Sequence, residues 1–147
     1  MKIVKLRNKN NEEVMPDSIL ELQKSTESQL DLTNTACGNN IDYPIYSNKL
    51  RKQNKMVTLD FEGYATNFVD GYNLVGTIPS EYLPKTVGYY TDVLMYFNCV
   101  VAGMNAVVQG KISSTGEVLV FSKADYWPVG YMDNNLAFRI HESWFTE

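Results

Sequence analysis

In several short segments between residues 56 and 145 apolar side chains recur at every second position, and this period of two constrains the fold of the 147-residue chain more than any other feature. In Met56-Val57-Thr58-Leu59-Asp60-Phe61-Glu62, the residues Val57, Leu59 and Phe61 fall on one side of an extended backbone. Thr58, Asp60 and Glu62 fall on the other. That pattern predicts a half-exposed antiparallel strand. Near the carboxyl end, Phe138, Ile140 and Trp144 alternate in the same way with Arg139, His141 and Ser143. Residues 106–112 and 117–121 flank Ser113-Ser114-Thr115-Gly116, which places glycine where a positive φ is most often needed and predicts a β-hairpin. Residues 73–78 are a further strand candidate, closed by Pro79. Residues 91–101 differ, because Val93, Met95, Phe97, Cys99 and Val101 share one face while Leu94, Tyr96 and Val100 share the other. A strand apolar on both faces is expected between layers or at a subunit interface. Helical periodicity is absent after residue 55. Six or so short strands with Gly, Pro and Asn turns describe a mainly β fold, an antiparallel β-sandwich of jelly-roll-like type.

The first 55 residues differ in kind. They carry nine Lys and Arg against seven Asp and Glu, whereas residues 56–147 carry four against ten and hold most of the aromatic residues. Ile3-Val4-Lys5-Leu6 is a short apolar run ending at the turn-forming Asn8-Lys9-Asn10-Asn11, which suits an arm. Ser18 and Glu21 make a capping box ahead of a helix expected to run to about Leu32. Its apolar stripe, Ile19 and Leu22, is too thin to stand alone. Such a helix packs as an ordinary surface helix or on copies of itself as a stalk. Residues 33–40 read as turn and linker, and Tyr43-Pro44 favours extended backbone. The expected organisation is an attachment arm, short helix and linker over residues 1–55, then a β-sandwich domain over residues 56–147.

Composition narrows the chemistry. A net charge of −4 argues against general nucleic-acid binding or charge-driven attachment to anionic lipid. The amino terminus lacks the uninterrupted apolar stretch of a signal peptide, and the longest apolar candidate, residues 93–104, is broken by Asn98 and Gly103, so a soluble protein is expected. Cys37 and Cys99 have no neighbouring histidine and read as buried thiols. The single histidine, His141, cannot form a multi-histidine metal site or complete an evident triad, and a structural or surface role is expected. Asp60 and Glu62 lie about 7 Å apart on one strand face, a spacing that glycoside hydrolysis could use. Alternating acids are also the normal solvent face of such a strand, so no catalytic residue is assigned. Asp125, Asp133, Asn134 and Asn135 lack the spacing of a calcium loop, and neither a metal nor a cofactor is expected. The ten tyrosines, six phenylalanines and two tryptophans stand out instead. Tyr89, Tyr90, Tyr126, Trp127 and Tyr131 fall in or beside predicted turns and suit a sugar- or protein-contacting surface, or else a subunit seam.

The order of these segments resembles a known pattern. An alternating strand (Val57-Thr58-Leu59-Asp60-Phe61) precedes Leu74-Val75-Gly76-Thr77-Ile78-Pro79-Ser80-Glu81-Tyr82-Leu83-Pro84 and a long strand. Val108-Gln109-Gly110-Lys111-Ile112 and Ser114-Thr115-Gly116-Glu117-Val118-Leu119-Val120 follow, before a closing aromatic strand. About two-thirds of the chain is similar to the carboxyl-terminal β-sandwich knob of bacteriophage fibre, baseplate and receptor-binding proteins. Val4 to Pro16 resembles the opening of such proteins, with Asn11 where glycine is usual, and Tyr43-Pro44-Ile45-Tyr46 resembles their step before the knob. The chain has no long fibre shaft, so no particular place on the particle carries over.

The resemblance implies a non-enzymatic virion structural protein, a head, collar or tail fibre or a decoration spike, assembled in the bacterial host cytoplasm. It also implies a homotrimer that contacts other virion proteins and host surface glycans in receptor binding and host attachment. Ile3, Val4, Leu6, Ile19 and Leu22 would then serve attachment or trimerisation. The strand over residues 91–101 supports self-association independently, since its second apolar face needs a cover that subunits can share. The alternative is a free-standing carbohydrate-binding module of β-sandwich form.

Overall fold

A computed structural model describes residues 7–12, 24–38, 41–85, 92–101, 103–122 and 136–146. Eight strands run in chain order: β1 (Ser25–Ser28), β2 (Ser47–Gln53), β3 (Met56–Ala65), β4 (Gly71–Thr77), β5 (Val93–Val101), β6 (Met104–Ile112), β7 (Glu117–Ser122) and β8 (Leu136–Phe145). The chain is mainly β, and each pair of hydrogen-bonded neighbours is antiparallel.

Two layers arise because the hydrogen-bonded order β1-β2-β3-β8-β5-β6-β7-β4 folds over between β8 and β5. Those two strands pair at three positions, Cys99 with Ile140, Val100 with Arg139 and Val101 with Phe138. By contrast, β3 and β8 pair along their full lengths from Met56–Phe145 to Ala65–Leu136. The first layer is therefore β1-β2-β3-β8 and the second β5-β6-β7-β4. Their inner faces share one core: Leu50, Val57, Leu59, Phe61, Phe138, Ile140 and Trp144 from the first, with Val75, Phe97, Val108, Ile112, Val118 and Val120 from the second. Each fully buried side chain of this size stabilises the fold by about 1.5–3 kcal/mol relative to exposure.

The free edges of the layers are joined as well. A bulge between Leu74 and Gly76 shifts the β4–β7 register. Gly76 has no side chain, and a Cβ there would lie 2.7 Å from that of Leu30. The chain just after β1 can therefore approach, and Asp31 and Thr77 exchange backbone hydrogen bonds of 2.9 Å. Pro79 then ends the ladder, and the 3-10 turn Ser80–Tyr82 crosses to the first layer. There the buried Trp144 indole donates to the Tyr82 carbonyl at 2.7 Å, and the Tyr82 hydroxyl donates to Thr26 Oγ1 at 3.0 Å.

Three expectations change. The described part of the expected helix, residues 24–32, is extended: Ser25–Ser28 pairs with Leu50–Gln53, and Leu30 is buried in the core. The β-branched Thr26 favours strand, Ser25 and Ser28 compete with helical backbone hydrogen bonds, and the thin apolar stripe gave a helix nothing to bury. The earlier part, residues 18–23, lies outside the described residues. The 55/56 boundary falls in the two-residue turn Asn54-Lys55 of the β2–β3 hairpin, where Asn54 has φ 57°. Residues 25–38 and 47–53 thus belong to the same core as the rest, and Cys37, expected to lie in a linker, is a buried thiol bridged at its backbone to Ala65. Finally, the strand order consists of two three-stranded meanders, β1-β2-β3 and β5-β6-β7, with β8 and β4 added beside them. A jelly roll instead nests its strands as two Greek keys.

Other expectations hold. The 104–122 hairpin turns at Gly116 with φ 89°. β3 alternates buried and less buried residues along its whole length.

Candidate functional site

The two outer faces have opposite chemistry. On the first layer the registers set Ser47, Lys49 and Arg51 of β2 beside Glu62, Asp60 and Thr58 of β3. On the other side of β3, Arg139, His141 and Ser143 of β8 sit opposite Glu62, Asp60 and Thr58. Asp60 lies at the centre: Arg139 donates to its Oδ1 from Nη2 at 3.0 Å and from Nε at 3.3 Å, and Ser47 Oγ donates to Oδ2 at 3.2 Å. Burial alone would raise the Asp60 carboxyl, but the hydrogen bonds and charge of Arg139, aided by Ser47 and His141, outweigh it and hold the group below the usual range. The sequence-suggested Asp60–Glu62 pair is therefore on one outer face as expected, with Asp60 held ionised in an ion pair. A general acid needs a proton to give, and this setting works against one. His141 is exposed, with Nδ1 3.7 Å from the Asp60 carboxylate.

Farther along the same face three tyrosines meet. The Tyr64 ring, next after Glu62 on the outer side of β3, is flanked by Tyr43 at 5.6 Å in an edge arrangement and by Tyr46 at 6.0 Å. The Tyr46 and Tyr64 hydroxyls lie 3.5 Å apart, and Tyr46 is 62% exposed. The hydrogen bond and charge of Tyr64, with burial and the charge of Glu62 adding to them, raise the Tyr46 phenol above its ordinary value. Gly38 lets the chain fold beneath them, because a Cβ there would lie 2.6 Å from Tyr43 Cβ. On the β8 side of Glu62 is an open depression of about 270 Å³, lined by Glu62, Gly103, Ala137, Phe138 and Arg139 and by none of the three tyrosines.

The second layer presents the reverse. Leu94 and Tyr96 of β5 and Val107 of β6 are 70%, 71% and 64% exposed. The pairing continues this surface across β6, β7 and β4 through Gln109, Lys111, Leu119, Phe121, Tyr72 and Leu74. Tyr72 and Phe121 meet edge to face at 5.1 Å, and Gln109 donates to the Tyr72 hydroxyl at 3.0 Å. Lys111 is neutralised in place. Its ammonium lies 2.9 Å from Asp92 and 4.9 Å from the Tyr72 ring centroid, and its hydrogen bond draws the Asp92 carboxyl down. The strand apolar on both faces thus buries one of them, through Phe97, and exposes the other.

The residues singled out from sequence for attachment (Ile3, Val4, Leu6, Ile19, Leu22) and for outward contact (Tyr89, Tyr90, Tyr126, Trp127, Tyr131) lie outside the described residues. So do Asp125, Asp133, Asn134 and Asn135. Among the described residues, no three His, Cys, Asp or Glu side chains converge on a common metal position, and no helix is long and apolar enough to cross a membrane. The tyrosine cluster was not foreseen. Its signal was the Tyr43-Pro44-Ile45-Tyr46 step together with the continuation of the 56–62 alternation to Tyr64. No family model and no curated protein matches the chain.

Proposed function

We propose that the protein is a non-enzymatic structural protein of a bacteriophage particle, a short head, collar or tail fibre or a decoration spike, that works as a homotrimer. The observation that carries the self-association is the contrast between the outer faces. An antiparallel layer ordinarily turns polar side chains to water, as β2-β3-β8 does, whereas β5-β6-β7-β4 turns out Leu94, Tyr96, Val107 and Tyr72, with the Lys111–Asp92 ion pair and Glu117 at the end of β7 as its charged groups among the described residues. Charge-depleted, aromatic-rich surfaces of this kind characterise homo-oligomer interfaces. In a closed ring of three, each copy turns that face toward the axis. The particle assignment draws on the resemblance in segment order to phage fibre and receptor-binding knobs. In this reading the residues ahead of β1 attach the protein, and the charged face looks outward.

Mass spectrometry of gradient-purified particles tests the assignment. The expected result is the protein in the particle fraction at a copy number divisible by three. Its absence from particles and presence as a free monomer overturns it. A free-standing carbohydrate-binding module is the second reading, favoured by the Tyr43-Tyr46-Tyr64 cluster on the solvent side of β3.

A further inference from the structure

We infer that the Lys111–Asp92 ion pair is the charge lock of self-association: with both members present, copies can bring their β5-β6-β7-β4 faces together, and with either member neutralised alone they cannot. The inference rests on the reading of that face as the assembly surface. It goes further by naming the two side chains that decide whether the face can close.

Lys111 stands in the middle of the apolar face. In the ladders it lies opposite Leu94 of β5 on one side and Leu119 of β7 on the other, and Leu119 in turn lies opposite Leu74 of β4. A cation among leucines is costly to cover unless a group of the same chain cancels it. Two groups do so. Asp92, just ahead of β5, accepts from the ammonium at 2.9 Å, and the Tyr72 ring centroid lies 4.9 Å from it. Both are themselves held: the backbone N–H of Ser114 bonds to the Asp92 carboxylate, and Gln109 donates to the Tyr72 hydroxyl at 3.0 Å while Phe121 meets the ring edge to face. The lysine side chain is only 25% exposed and the aspartate side chain 35%, so most of their hydration is already lost in a single copy. Glu117 is the remaining charge of this face among the described residues, and it belongs to the turn. Its carboxylate accepts from Ser113 Oγ at 3.1 Å and from Thr115 Oγ1 at 3.3 Å.

Symmetry makes the pair decisive. In a ring of identical copies every group on the shared face is repeated, so an uncancelled ammonium meets the same ammonium of its neighbours. Like charges brought together in an interface are strongly disfavoured, and a charge stripped of its partner keeps its full desolvation cost. A cancelled pair avoids both effects and asks for no counter-charge from the neighbour. The partner this face fits is therefore the equally apolar face of a second copy, not an acidic surface.

Sedimentation equilibrium of the full chain at neutral pH, with the variants Asp92→Asn, Lys111→Met and Asp92→Asn/Lys111→Met, tests this. The wild type is expected to assemble. Either single variant should need about a hundredfold higher concentration to do so. The double variant should assemble at least as tightly as the wild type, because it leaves no charge uncancelled. Thermal melts show that each variant is folded, and recovery in the double variant separates the effect of charge from damage to the fold. A wild type that assembles beside an Asp92→Asn variant that assembles equally well overturns this inference alone, as does a double variant that stays dispersed. A wild type that is monomeric at every concentration overturns the assembly reading itself, and the inference with it.

Discussion

Replacing Gly110 with alanine tests the packing that holds the second layer together. Gly110 sits in β6 opposite Met95, on the inner face, with the Phe97 ring lying directly on it. A Cβ at this position would be 2.2 Å from Phe97 Cε2, 2.5 Å from Cδ2 and 2.7 Å from the Leu119 carbonyl oxygen. Carbon atoms in ordinary contact lie about 3.5–4.0 Å apart, so the ring must withdraw by roughly 1 Å. It has little room to do so, because Phe97 is completely buried and the third neighbour is backbone. Overpacking of this kind costs about 1–3 kcal/mol, and a clash with both ring and backbone belongs at the upper end. Alanine also restricts the unfolded chain, which offsets about 0.4–1 kcal/mol. The expected net destabilisation is about 2 kcal/mol. For a domain of this size that lowers the melting temperature by about 4–8 °C, measurable by circular dichroism or calorimetry. Phe97→Leu relieves the clash, so the double variant should be more stable than the sum of the single effects by at least about 1 kcal/mol. A Gly110→Ala protein that melts at or above the wild-type temperature refutes the packing of Phe97 on β6.

Other consequences follow from individual groups. The Asp60 carboxyl is held below its ordinary value of 3.8 in the folded protein, so its contribution is present above that pH and is lost as pH falls through the folded value. Arg139→Gln should raise the Asp60 titration midpoint seen by carboxyl NMR and move acid unfolding to higher pH; an unchanged midpoint counts against the ion pair. Burial pushes the Cys37 thiol up to about 12, so at pH 8 only about one molecule in ten thousand carries the thiolate. Peptide mapping after alkylation should find Cys37 unlabelled in the native protein and labelled in urea, and native labelling would contradict its place in the core. Among the described residues the buried Ser122 Oγ has no hydrogen-bond partner, so Ser122→Ala should be neutral or stabilising by up to about 1 kcal/mol in urea titration, whereas a loss of stability would indicate a partner for the hydroxyl.

The strands that were legible in the sequence are those whose alternation is internal to the segment. Val57, Leu59 and Phe61 mark the inner face of β3 without reference to other residues, and Phe138, Ile140 and Trp144 do the same for β8. β2 escaped because Ser47–Gln53 contains a single apolar residue, Leu50, whose full burial depends on β1 and β3 lying on either side. The capping-box reading at Ser18 and Glu21 extended a helix into residues 25–28, where pairing with β2 decides the conformation. Local propensity is weak against a ladder that also buries Leu30. For the outer surfaces, the two-sided apolar pattern of residues 91–101 was legible, and the structure buries one of its faces at Phe97 while Leu94 and Tyr96 on the other are exposed. The tyrosine cluster joins Tyr43 and Tyr46 to Tyr64 across a hairpin whose first strand was itself not foreseen.

Self-association through the β5-β6-β7-β4 face is the central claim, and sedimentation equilibrium of the wild-type protein beside Leu94→Glu/Tyr96→Glu tests it most directly. Both positions are exposed on one face of β5, so the variant should fold normally while placing two carboxylates where copies meet. The account predicts a wild-type mass of three 16.7 kDa chains, about 50 kDa, and a folded monomer for the variant. A wild-type protein that stays at 16.7 kDa at every concentration, or a variant that remains fully assembled, contradicts it.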